Sequence, residues 1–290
     1  MITKNTITFN NNINEITSCD FYFDNSIISG NSSPFVLFTY GFRAFNDWGF
    51  IPYFAERFAS NGFIFGVIDF SLNTLSDRER QLFDMDRFRR NTVTQMLTEA
   101  RMLLNNLSLH LGQCGISDRW SGDVYLVGHS LGGALAIALA DSNSAENSFS
   151  IKKLVTICSI SDIDIYTIRQ KEQWEELGYK EFVDTTTGQN IILDVSFLRD
   201  RLTYTGDRSL AAMISRLNIP TYFIHTEADA TVSPKSLNIL SDSFTKKELL
   251  RTELVPKANH LLNCTHPFEG TNDALELIIN NVISFYLKDC

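Results

Sequence analysis

Nowhere in this chain do 18 apolar residues run together, so no helix of it is expected to span a membrane. A block of basic residues is missing as well. The 25 Lys and Arg are outnumbered by 34 Asp and Glu, a formal net charge of −9, so a nucleic-acid backbone or an anionic bilayer is not an expected partner. Paired cysteines are absent too. Cys19, Cys114, Cys158, Cys264 and Cys290 are widely spaced with no C-x-x-C among them. That excludes a disulfide framework and a zinc site, and points to free thiols in a reducing compartment. Residues 1–15, rich in Asn and Thr, lack a basic start followed by an apolar run. No secretory signal is therefore expected, and the expected location is cytoplasmic.

What is present is of ordinary make-up. With 44% hydrophobic and 20% charged residues, the chain is not disordered, collagen-like or coiled-coil in composition. Its 290 residues hint at two domains of about 150 each, although α/β chains of this length also fold as one. Such a length buries roughly three quarters of the surface of the unfolded chain, so its core needs no metal or disulfide staple.

Short apolar runs alternate with longer amphipathic segments, the pattern of an α/β fold around a mostly parallel sheet. Strands are expected at Ile7 to Asn10, Ile16 to Phe23, Phe35 to Thr39 and Phe63 to Ile68. Further strands are expected at Val124 to Val127, Leu154 to Cys158, Thr221 to His225 and Leu249 to Val255. A helix is expected over Ile51 to Ser60, where Ile51, Phe54, Ala55 and Phe58 share a face. The longest helix is expected over 85–111, a small-residue helix over Leu131 to Ala140, and a last one over Asn272 to Leu287. Regularity breaks between Asp162 and Asn218, a stretch with Trp174, Tyr179 and an irregular turn at Thr185-Thr186-Thr187-Gly188. A compact domain rarely leaves so long a loop without structure, so residues 163–218 are expected to form an insertion with helices of its own. The chain then divides into one core, 1–162 and 219–290, and a cap at 163–218.

The strongest chemical signal is Gly128-His129-Ser130-Leu131-Gly132, followed by Gly133. As a bare pattern, G-x-S-x-G arises by chance in roughly one chain in ten of this length. Here it directly follows the apolar strand Val124-Tyr125-Leu126-Val127 and opens a helical run, the strand–turn–helix setting of a nucleophile elbow. Side chains two residues either side of the serine would collide with strand and helix, which calls for glycine at both places. Ser130 would then sit at a helix N-terminus, where free N–H groups favour a developing negative charge. The competing reading, a Gly-rich phosphate turn, lacks the lysine or the G-x-G-x-x-G register it needs.

A serine nucleophile needs a base, and the base an orienting acid. Five histidines are available. His110 ends the long helix and reads as a surface residue, His129 lies inside the elbow and reads as packing, and His225 ends a strand ahead of the acid loop. His260, on the loop after the last strand, stands where the base belongs, with His266 as the fallback. The acid is expected after the strand ending at His225, where Glu227 and Asp229 are available and Asp229 lies mid-loop; Asp162 is the other candidate position. An oxyanion needs two donors. The N–H of Leu131 is one, and the N–H of Phe42, aimed by the turn at Gly41, is the other. Phe42, Phe45, Trp48 and Phe50 make that loop aromatic, either to line an acyl pocket or to pack beneath it. In the insertion, Trp174, Tyr179, Phe182 and Phe197 face the same alternative. Tyr40, Phe45, Trp48 and Trp174 are the candidate substrate contacts.

These residues resemble the α/β-hydrolase superfamily. The likeness runs from Phe35 to the C-terminus, carried by Tyr40-Gly41-Phe42, Phe54 through Phe63, the elbow, Asp229 with Val232 and Pro234, and Asn259-His260. Within it, the chain is most similar to serine esterases of the dienelactone-hydrolase and feruloyl-esterase-like groups. Tyr40 stands where many members have His, and Thr226 where Gly is frequent. The resemblance implies Ser130 as nucleophile, His260 as base, Asp229 as orienting acid, and Phe42 and Leu131 as oxyanion donors. It also implies a cap at the position of residues 163–218. The expected activity is hydrolysis of a small-molecule carboxylic ester through an acyl-enzyme, with no metal or organic cofactor. Amide or peptide hydrolysis, or acyl transfer, would use the same machinery, and a non-catalytic receptor would reuse the pocket without it.

Overall fold

A strand covered on both faces must be apolar at nearly every position, and several segments of this chain have that character. The computed structural model describes residues 1–26, 33–142, 149–184 and 186–288. In chain order their strands are β1 (Ile2–Asn10), β2 (Ile16–Asp24), β3 (Ser33–Thr39), β4 (Ile64–Asp69), β5 (Leu75–Asp77) and β6 (Leu82–Phe83). There follow β7 (Trp120–His129), β8 (Ser150–Ile157), β9 (Tyr179–Val183), β10 (Asn190–Asp194), β11 (Thr221–Thr226) and β12 (Leu250–Val255). The helices are α1 (Ile51–Ala59), α2 (Met85–Phe88), α3 (Val93–Asn105), α4 (Leu107–Gln113) and α5 (Leu131–Asp141). They continue with α6 (Ile168–Leu177), α7 (Val195–Leu202), α8 (Leu210–Arg216), α9 (Lys235–Ser243) and α10 (Asp273–Leu287). Thr185 of the expected turn and Cys290 lie outside the described residues.

Eight strands form one sheet in the order β1-β2-β4-β3-β7-β8-β11-β12. β1 and β2 are antiparallel, as are β2 and β4; every later neighbour is parallel. The six parallel strands therefore end on one edge of the sheet, and the loops that leave them meet there. β4 and β11 are buried at every residue, whereas β1 alternates half-buried and exposed positions, as an edge strand does. Helix α5 is buried on almost its whole circumference, and its Gly and Ala residues let it lie against β7 and β8 with α3 and α8 beside it.

The single helix expected over 85–111 is three helices. The Thr92 hydroxyl accepts a hydrogen bond from the N–H of Gln95, which starts α3 afresh, and Asn106 leaves the helical region at φ −109 to separate α3 from α4. At 15 residues, α10 is the longest helix among those described. His110 is not on the surface: it is 5% exposed and stacks on Phe9 of β1, and burial pushes its pKa down. Residues 163–218 contain the β9–β10 hairpin as well as helices.

Two hydrophobic clusters divide that segment. Trp174, Ile191, Leu193, Phe197 and Leu198 pack with Phe45, Phe83 and Phe88 in a small separate core. Leu210, Met213 and Ile214 of α8 belong instead to the main core. The four described cysteines are unpaired. Among the described residues, no helix is long and apolar enough to cross a membrane.

Candidate active site

Strand β7 turns into α5 within one residue, and that residue is Ser130 at φ 58, ψ −121. A non-glycine residue held there costs about 1–3 kcal/mol and persists only where its surroundings impose it. Here the Ser130 N–H donates to the Ile157 carbonyl of β8 at 3.0 Å, and the flanking glycines let strand and helix approach closely. A Cβ on Gly128 would strike the carbonyl of Gly132, and one on Gly132 would strike that of Thr39. Strand, helix and the end of β3 are thus in backbone contact around the serine.

The loop after β11 wraps around a carboxylate. Asp229 accepts hydrogen bonds from the N–H groups of Thr231 and Val232 on one oxygen, both at 2.8 Å. Its other oxygen lies 2.7 Å from His260 Nδ1 and 3.3 Å from His225 Nε2. Burial alone would raise the Asp229 pKa, but bonds from His225, His260 and the Val232 N–H hold the carboxyl far below the usual range. An ionised carboxylate only accepts, so Nδ1 of His260 carries the proton, and Nε2 of the neutral ring keeps its lone pair. His129 Nε2 donates to the His260 carbonyl at 2.9 Å, and the two rings lie 4.9 Å apart. Burial pushes His129 down to about 3, so it is neutral at ordinary pH.

The other candidates are placed elsewhere. His266 Nδ1 accepts from the Gly49 N–H at 2.7 Å, and its ring stacks on Trp48. Glu227 accepts from the Lys257 N–H, and Asp162 from the N–H of Asp164. Across from the elbow, Gly41 lies so close that a Cβ there would stand 2.9 Å from the Cβ of Ser130. Among the described residues, no backbone carbonyl takes the N–H of Phe42 or of Leu131.

No protein-family model matches the sequence, and no curated protein is similar to it in sequence. Solved structures do align with it along nearly its whole length. Alpha/beta hydrolase domain-containing protein 10 from mouse superposes with a TM-score of 0.70 at 14% identity, over 97% of this chain and 98% of that one. Est1E from Butyrivibrio proteoclasticus with ferulic acid bound gives 0.67 at 17%, over 97% and 98%. A soluble variant of monoglyceride lipase from Saccharomyces cerevisiae, in complex with a substrate analogue, gives 0.68 at 11%, over 96% and 93%. The chain has the α/β-hydrolase fold.

On this α/β-hydrolase fold, Ser130 and His260 line one cavity of about 640 Å³, with Phe42 and Leu131. No hydrogen bond joins the Ser130 hydroxyl to His260 among the described residues; such contacts commonly tighten only around substrate. Of the four candidate substrate contacts, Phe45 and Trp48 line the cavity. Tyr40 and Trp174 do not. The Tyr40 hydroxyl donates to Asp69 at 2.9 Å and accepts from the Phe70 N–H at 3.0 Å, anchoring the ring between β3 and β4. Trp174 is 1% exposed, stacks on Phe197 and donates to the Leu193 carbonyl at 3.2 Å, so it belongs to the small core. Phe197 of α7 lines the cavity, and its ring lies 5.7 Å from that of Phe42.

Two further residues near the α/β-hydrolase site were given no role from the sequence. His225 donates from Nε2 to the Val232 carbonyl at 3.0 Å while touching Asp229, so it braces the acid loop. Cys158, at the end of β8, lies 3.3 Å from the Thr226 hydroxyl. The sets His129–Cys158–His260 and Cys158–His225–Asp229 bring ligand atoms within 4.8 Å of one another. Burial pushes the Cys158 thiol up to about 12, and the Asp229–His260 pair already uses one ligand of each set.

Proposed function

We propose that this protein hydrolyses carboxylic esters through an acyl-enzyme formed on Ser130. The observation that carries this reading is the 2.7 Å Asp229–His260 pair, opening onto the same cavity as a strained serine at the N-terminus of α5. Attack by the Ser130 oxygen on the ester carbonyl passes its proton to His260 Nε2. The imidazolium is stabilised by Asp229, and the oxyanion by the N–H groups of Phe42 and Leu131. The proton then goes to the departing alcohol, and water, activated by the same nitrogen, releases the acid. The aromatic lining favours an apolar or aryl acyl group. Est1E and the yeast monoglyceride lipase, by their names and bound molecules, agree with ester chemistry.

The segment 163–218 acts as a cap in this reading, since Asp184 of β9–β10 and Phe197 of α7 contribute to the cavity wall. A panel of p-nitrophenyl esters and aminoacyl anilides tests the reaction class. Ester turnover is expected, with labelling of Ser130 by a serine-reactive phosphonate. Ser130→Ala should lower kcat by at least about 10³-fold while the melting temperature is retained. Undiminished ester turnover in that variant would overturn the proposal.

A further inference from the structure

The cavity beside Ser130 contains one charged side chain that, among the described residues, has no hydrogen-bond or ion-pair partner. Arg201, on α7, is 3% exposed and lines the cavity. Its guanidinium lies over the rings of Phe197, at 5.0 Å, and Tyr166, at 5.5 Å. Among the described residues no side chain or carbonyl accepts a hydrogen bond from it, and its Nε is buried without a partner. Asp200, Asp164 and Asp162 act on it through their charge, but none is in hydrogen-bond contact with it. Asp164 is bonded to Lys171, Asp162 accepts from the Asp164 N–H, and Asp200 accepts from the Thr94 N–H.

Arg43, the other arginine of the cavity wall, pairs with Asp184 at 2.5 Å, and His129 is neutral. Arg201 is left, among the described residues, as the lining cation without a direct partner, and it is the residue type that presents a planar fork of five donors. An arginine serving only to seat the cap would be expected to spend those donors on a carboxylate or on carbonyls, since leaving them dry is costly. Burial lowers its pKa, in keeping with an ion held without full compensation.

We propose that Arg201 binds a carboxylate carried by the substrate, so that this site takes esters whose acyl or alcohol part ends in one negative charge. A single guanidinium fork without a direct partner matches one carboxylate. A phosphate dianion would leave excess negative charge among Phe42, Phe45, Trp48, Phe83 and Phe197. Bidentate geometry and an apolar wall would together select a short acid half-ester over its neutral counterpart.

The inference rests on the esterase reading for turnover, but its binding claim is tested without it. Ser130→Ala protein is titrated calorimetrically with monomethyl adipate, which carries one carboxylate, and with dimethyl adipate, which carries none. The monoanion is expected to bind at least about tenfold more tightly, the order for a charge-assisted pair in a dry site. In Ser130→Ala/Arg201→Gln that preference should vanish. Equal affinities in the protein that keeps Arg201, or a preference that survives Arg201→Gln, overturn the inference. Where Arg201→Gln does not fold, Arg201→Lys keeps the charge and loses the fork; a weakened preference is expected, and an undiminished one overturns the inference. Wild-type kcat/KM on p-nitrophenyl hydrogen adipate and p-nitrophenyl hexanoate separates the two claims. No turnover of either ester, with the binding preference intact, defeats the esterase reading alone. Turnover of both without preference defeats the role of Arg201 alone.

Discussion

Burial acts on His129 and on Asp69 in opposite senses, and both leave a mark on acid stability. His129 is pushed down to about 3, first by burial and then by the neighbouring His260. Its folded value lies below the unfolded one, so between pH 6.5 and 3 the unfolded chain binds the extra proton and stability falls as pH falls. From pH 6.5 to 5 that amounts to about 2 kcal/mol for this group. Asp69 is pushed up to about 6 by burial, against the opposing bond from Tyr40. There the folded state protonates first, and acidification through that window stabilises. The measurement that isolates His129 is therefore the urea-unfolding free energy of wild type minus that of His129→Gln, at pH 7 and pH 5. The difference should shift against wild type by about 2 kcal/mol at the lower pH, and a difference that does not change with pH would contradict a buried neutral imidazole. Ser130 was legible at this scale because its signal is local, a glycine two residues away on each side. The contact of His225 with Asp229 was not, because the way the loop folds back over four residues is not encoded in their spacing.

At the scale of elements, the site is an arrangement of strand ends. The elbow after β7 works because Gly128 and Gly132 allow backbone to touch backbone, and Gly41 extends that closeness to the loop after β3. Gly41→Ala would bring a methyl carbon to 2.9 Å from the Cβ of Ser130. In the proposed reaction Ser130 is the nucleophile, and displacing it by a fraction of an ångström is costly to rate, so kcat should fall about tenfold or more. The stability loss should be about 1–3 kcal/mol, as for overpacking elsewhere. Esterase kinetics beside a melt decide it; unchanged kcat would mean that the loop moves aside freely. Alternation of apolar runs made the parallel strands readable. The break of 85–111 into three helices was not, because Met96, Ala100, Leu103 and Leu107 keep helical spacing across the interruption. A capping hydroxyl at Thr92 and a single turned-out Asn106 suffice to divide it.

For the whole molecule, the notable division is between the main core and the small one under residues 163–218. Trp174 is the largest side chain of the latter, and its indole N–H is satisfied within it. Trp174→Ala should destabilise the protein by about 3–5 kcal/mol, read from the midpoint of urea unfolding. A loss below about 1 kcal/mol would mean that the small core does not unfold with the rest. The irregular stretch after Asp162 was legible as a loss of rhythm, and it holds the β9–β10 hairpin beside its helices. The packing of α8 on α5 in the main core was not legible, because the sequence does not tell which of the two cores its apolar face joins.

The sequence by itself determined what depends on neighbours in the chain. The alternation that makes a parallel sheet, the glycines that permit the turn at Ser130, and the strand ends that can offer Asp229 and His260 all follow from spacing and side-chain shape. Only the tertiary structure decided what depends on residues meeting from afar. Asp229 and His260 are 31 positions apart, and Arg43 and Asp184 are 141 apart. Tyr40 turns to Asp69, Trp174 into the small core, and Arg201 into the cavity with no described carboxylate bonded to it. Such pairings are set by how the chain packs, because burial makes each polar group's partner, or its lack of one, a large energy that no local pattern encodes.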